Sequence, residues 1–177
     1  MRPLYAFCSA ALLGALTPLG FAPFGWFPLP ILSLAGLFWL ARAVTPGAAF
    51  RLGWGYGLGM FLLGVSWIYI SIATFGGMPA PLAAVALLLF SAFIALMPGL
   101  ALFLAAHLAR PGALRLGLAL PATWALMEWT RGWLFTGFPW LALGYSQAPV
   151  SWLAGYAPVL GVYGMSLLVA LTAGNLL

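Results

Sequence analysis

The chain of 177 residues holds a single glutamate, Glu128, and an arginine, Arg131, follows it three positions later. On a helix that spacing puts both side chains on one face, close enough to pair, with Trp124 one turn earlier. Two readings of such a pair stand side by side. It either fixes a helix end as an interfacial ion pair, or Arg131 meets an anionic lipid headgroup while Glu128 orients it or helps to shape an entry portal. Just beyond, Phe138, Trp140, Tyr145 and Gln147 are spaced around Gly137, Pro139 and Gly144. This stretch suits an arm lying in a membrane interface, either as an aromatic anchor or as a lipid-contact surface. Glu128, Arg131, Phe138, Trp140, Tyr145 and Gln147 are therefore the candidate lipid or portal contacts.

Little else in the chain offers chemistry. Cys8 is the sole cysteine, so neither an intrachain disulfide nor a thiolate zinc site is expected. His107 sits beside Arg110 without a second histidine, carboxylate or thiol to complete a metal site or proton relay. Proton-coupled transport through Glu128 and His107 is disfavoured, because the two fall near opposite faces of the membrane. The hydroxyls of Ser66, Ser71, Thr74 and Ser91 are expected to bond helix backbone. No serine, histidine and acid set can be assembled, and no cofactor is expected. Gly53, Gly55, Gly57 and Gly59 alternate in one span, a pattern for close helix packing and not a nucleotide loop.

Composition says what must position these groups. Hydrophobic residues make up 66% and charged residues 4%, against roughly 25% charged in a soluble domain, so this is a membrane protein. Six arginines and one glutamate give the net charge of +5 at scattered points. Nucleic acid is excluded as a partner, since phosphate binding needs a clustered basic face.

The run from Leu52 to Ala109 lacks any charged residue, and as one helix it would be roughly 87 Å long. A bilayer core is about 30 Å thick, so the run must cross and return, turning at Gly76-Gly77-Met78-Pro79-Ala80-Pro81. The expected fold is an all-α polytopic transmembrane helix bundle over 1–177, with about five complete spans and most of a sixth. Those spans are 4–19, 27–44, 52–75, 82–107, 116–133 and 156–177, with an outer-face arm at 134–155. The first two are either short crossings or a re-entrant hairpin. Arg2, Arg42, Arg51, Arg110 and Arg115 then obey the positive-inside rule with a cytoplasmic N-terminus, and Arg131 alone lies outside.

Four stretches also carry a resemblance: PLGFAPFGWFPLPILSLAGLFWL (18–40), GWGYGLGMFLLGVSWIYISIATFGGMP (53–79), RGWLFTGFPWLALGYSQ (131–147) and LAGYAPVLGVYGMSLLVAL (153–171). With these the chain resembles the membrane domain of bacterial apolipoprotein N-acyltransferases. The resemblance implies transfer of an acyl chain from a phospholipid donor to the diacylglyceryl-cysteine of a lipoprotein acceptor, in the bacterial inner membrane. It also implies a periplasmic nitrilase-like domain, whose cysteine carries the acyl thioester, assisted by a glutamate base and an oxyanion-supporting lysine. This sequence departs from that pattern: it has no lysine, Cys8 lies near the start of the first span, and Glu128 belongs to the span-end motif. The expectation is an N-terminal membrane fragment lacking the catalytic domain, inactive alone, whose membrane lipids and substrates approach along the candidate residues. A stand-alone lipid-binding or assembly module is the alternative.

Overall fold

The computed structural model describes residues 3–148 and 150–177, so Arg2 lies outside the described residues. All regular structure among the described residues is helical, since a chain in lipid must satisfy its backbone polar groups internally. The helices are α1 (Pro3–Leu16), α2 (Pro28–Ala41), α3 (Pro46–Gly64), α4 (Trp67–Ile70), α5 (Ala80–Ile94), α6 (Leu96–Leu108), α7 (Leu120–Arg131) and α8 (Ala157–Asn175). Among the described residues, three stretches are long and apolar enough to cross a bilayer: Pro3–Gly20, Ala80–Leu108 and Ala154–Asn175. Joining α3 to Trp67–Phe75 makes a fourth, bent by 50° at the break. With 14 and 12 residues, α2 and α7 are shorter.

Local chemistry explains the interruptions. Pro98 cannot donate to the carbonyl of Ile94, and the break between α5 and α6 falls at that point. Ahead of Pro121, Arg115–Ala119 widens into a π turn, which gives the proline ring room beside the carbonyl four residues earlier. At the end of α3 the side chain of Leu141 packs against Gly64, where a Cβ would overlap it. The expected span over 52–75 is bent by 50° after Gly64, at the point where Leu141 packs.

The alternating glycines put α3 in the middle of the bundle. Gly53 faces the carbonyl of Pro98 and Gly57 faces Ala95, while Gly55 meets the ring of Phe7 and Gly59 the carbonyl of Ala11. No Cβ fits at Gly53 or Gly59 without moving a neighbouring backbone, so α6 and α1 approach α3 closely from two sides. On another side α2 packs between α1 and α8, and α8 also covers α7.

Two polar devices lock this arrangement. Inside the core, Thr17 Oγ1 lies 2.6 Å from Tyr56 Oη and 3.0 Å from Ser33 Oγ, and Ser33 donates to the Leu13 carbonyl at 2.6 Å. These hydroxyls satisfy one another across α1, α2 and α3, where an unpaired one would be costly. The Tyr56 ring meets Trp124 edge-on at 5.6 Å, which extends the contact to α7. At the far end of the bundle, the buried guanidinium of Arg115 donates to the carbonyls of Ala106, Ala109 and Val44. Arg115 thus caps α6 and ties it to the loop before α3, beyond any part it plays in sidedness.

Candidate functional site

The last two turns of α7 carry Trp124, Glu128 and Arg131 inward, each 5% exposed or less. The carboxylate of Glu128 accepts the Trp124 indole N–H at 3.0 Å and the Leu143 backbone N–H at 3.2 Å. Arg131 uses Nη1 to donate to the carbonyls of Phe138 and Trp140, at 2.5 and 2.6 Å. Its guanidinium lies 5.2 Å from the centre of the Phe61 ring, within cation–π range. The direct ion pair that the spacing suggested is replaced by two separate sets of bonds. Each charge grips the loop that follows α7, and the loop supplies backbone groups that no side-chain pattern reveals.

That loop is held in unusual shapes. Phe135, Thr136 and Leu141 have φ of 52°, 74° and 59°, a left-handed region that costs a non-glycine residue on the order of 1 kcal/mol or more. The bonds of Arg131 to Phe138 and Trp140 fall between the strained positions and fix the chain there. Farther on, Leu143–Gln147 forms a 3-10 turn whose Leu143, Gly144, Ser146 and Gln147 are buried. The Gly144 N–H donates to Ser166 Oγ at 2.9 Å, and Gln147 Nε2 donates to the Phe27 carbonyl at 3.1 Å.

The candidate residues are therefore divided among several places. Arg131 and Phe138 line a cavity of about 100 Å³, closed on the other side by Phe90, Phe93, Ile94 and Met97. Glu128 and Arg131 together face a smaller space of about 10 Å³, beside Met60, Phe61 and Trp124. Trp140 and Tyr145 line an open cleft of about 550 Å³ with Phe21, Ala22 and Pro139. Phe138 stacks on Trp140 at 5.0 Å and meets Phe90 edge-on at the same distance, which joins the loop to α5. Gln147, fully buried, makes structural bonds and no cleft surface.

A family model described as the apolipoprotein N-acyltransferase N-terminal domain matches residues 13–175, which include every one of these groups. The chain belongs to that family. Curated apolipoprotein N-acyltransferases are similar to it over nearly its whole length. The protein of Nitrosomonas europaea is 46% identical over 98% of this chain and 35% of its own, and that of Chromobacterium violaceum is 49% identical over 99% and 34%. For Ralstonia nicotianae the identity is 48% over 94% of this chain and 32% of the relative. The chain spans about a third of the length of these relatives. In this apolipoprotein N-acyltransferase N-terminal domain, the segment after α7 buries Leu141, Leu143, Gly144, Ser146 and Gln147. Trp133, Phe135, Trp140, Tyr145, Val150 and Trp152 stay exposed along it.

Sequence reasoning missed the other half of the site. Phe61, Phe90, Phe93 and Met97 come from α3, α5 and α6, and in the sequence they are four apolar residues among many. The Thr17, Ser33 and Tyr56 cluster was equally hidden, because its members sit on three elements far apart in the chain. One signal was present: Tyr56 is the only residue with a hydroxyl among the glycines of 53–59.

Proposed function

We propose that this chain is the membrane part of an apolipoprotein N-acyltransferase that moves an acyl chain from a phospholipid to the N-terminal diacylglyceryl-cysteine of lipoproteins. The identity of 46–49% to proteins of that name, over almost every residue, carries the proposal. Its setting is the bacterial inner membrane, with five complete spans and most of a sixth. The N-terminus is cytoplasmic and 134–155 periplasmic, as supported by the arginines that flank the other ends of the helices. Acyl transfer through a thioester needs an activated nucleophile and a charge that stabilises the oxyanion. Residues 1–177 include no lysine, and Glu128 is committed to Trp124 and Leu143, so the proposal assigns them approach and positioning.

Arg131 is the residue to test. Both carbonyl bonds use Nη1, which leaves Nε and Nη2 for an acceptor in the adjoining apolar cavity, a fit for a lipid phosphate with its first methylenes. In the full-length enzyme, Arg131→Ala should lower kcat/KM for a fluorescent phospholipid donor and a diacylated lipopeptide acceptor by about tenfold or more, the loss of one charge-assisted contact. Unchanged kinetics at normal expression would return Arg131 to a purely architectural role. Failure of the wild-type protein to form any triacylated product would remove the functional reading altogether.

A further inference from the structure

We propose that a second lipid site lies at the opposite end of the bundle, where α1, α2 and α3 enclose a cleft that holds the headgroup of one anionic glycerophospholipid. The cleft has a volume of about 440 Å³, and its apolar walls include Phe7, Leu40, Val44 and Leu52. Arg42 and Arg51 stand in the lining as its charged groups, both exposed. The Arg42 guanidinium is held in place: it lies 3.7 Å over the Trp39 ring and donates Nη1 to the Trp39 carbonyl at 2.6 Å. Arg51 makes no hydrogen bond to a side chain or carbonyl among the described residues, and it lines the same cleft.

Nothing nearby neutralises these two charges. The chain's one carboxylate, Glu128, packs beside Met60 and Phe61, nine or ten residues along α3 from Arg51 and so roughly 14 Å away along the helix axis. Two guanidiniums over apolar walls form a recognisable combination. The guanidiniums match phosphate oxygens, and the walls match glycerol and the first methylenes of acyl chains that continue along the lipid-facing helices. A basic pocket between membrane helices at the leaflet surface is the kind of place that retains anionic headgroups. Zwitterionic lipids offer the phosphate but also a cation that the two arginines repel, so the site selects net negative charge. The occupant would bridge the ends of α1, α2 and α3.

The site is independent of acyl transfer and is tested without it. Purified full-length protein is titrated with phosphatidylglycerol or phosphatidylcholine, and bound lipid is counted by native mass spectrometry. One phosphatidylglycerol should be retained in preference to phosphatidylcholine, and Arg42→Gln or Arg51→Gln should each weaken it by about fivefold. Ala48→Trp, which fills the cleft and leaves both arginines, should abolish retention. Arg110→Gln, an exposed arginine outside the cleft, should leave it unchanged. Equal retention of the two lipids, indifference to Ala48→Trp, or an equal loss with Arg110→Gln would overturn the proposal. Displacement of the lipid by inorganic phosphate at the same concentration would do so too, by showing a simple anion site.

Discussion

The two buried charges of α7 are held by what they bond, not by each other. Glu128 satisfies the indole N–H of Trp124 and the backbone N–H of Leu143, and a buried donor left without its acceptor costs about 1–3 kcal/mol. Glu128→Ala strips both donors and should lower thermal stability by several degrees in detergent. Glu128→Gln keeps a carbonyl oxygen in place and should recover much of that loss. Equal melting temperatures for the two variants would show that the bonds contribute little. The sequence singled out Glu128 and Arg131 because an apolar chain rarely retains charges. It placed Trp124 on the same face but did not show the other partners, since these are backbone groups of Phe138, Trp140 and Leu143 delivered by the folding of a loop. Gln147 makes the same point in reverse: its polarity suggested a lipid contact, whereas its amide bonds Phe27, 120 positions away.

At the level of elements, the hydrophobic runs announced an all-helical chain, and the turn expected from glycine and proline at 76–81 falls between Phe75 and Ala80, because both signals are local. Pro98 and Pro121 mark two irregularities locally, whereas others have their cause elsewhere in the chain or in fine backbone geometry. At the bend after α3, Leu141 from a distant loop packs against Gly64. Within α8, Gly161 adopts φ 62° and ψ −176°, a region open essentially to glycine alone. No atom lies within 4 Å of a Cβ placed there, so Gly161→Ala isolates backbone strain from crowding. It should destabilise the protein by about 1–3 kcal/mol, read as a drop in unfolding midpoint, and a neutral result would mean that the first turn of α8 rearranges freely. Gly59→Val is the contrasting case, since a side chain there meets the backbone of α1. Its cost should include separation of the two helices, visible as faster proteolysis between α1 and α3.

For the whole molecule, sidedness is the property with the most direct test. In a Cys8→Ala background, cysteines are introduced at Arg110 and Trp152, both exposed. A membrane-impermeant maleimide should label Trp152→Cys in intact spheroplasts and Arg110→Cys only after lysis; the reverse pattern would invert the proposed topology. The position of α2 also bears on how the molecule is made. This short helix rests on α1 and on α8, and the Phe27 carbonyl just before it awaits the amide of Gln147. During synthesis α2 therefore leaves the ribosome more than a hundred residues ahead of Gln147 and α8. Until they arrive, one side of α2 is covered only by lipid or by the insertion machinery, and long-range contacts of this kind form late. A nascent chain stalled before Gln147 should therefore hold α2 without these contacts, in a state that insertion factors and quality-control proteases still recognise.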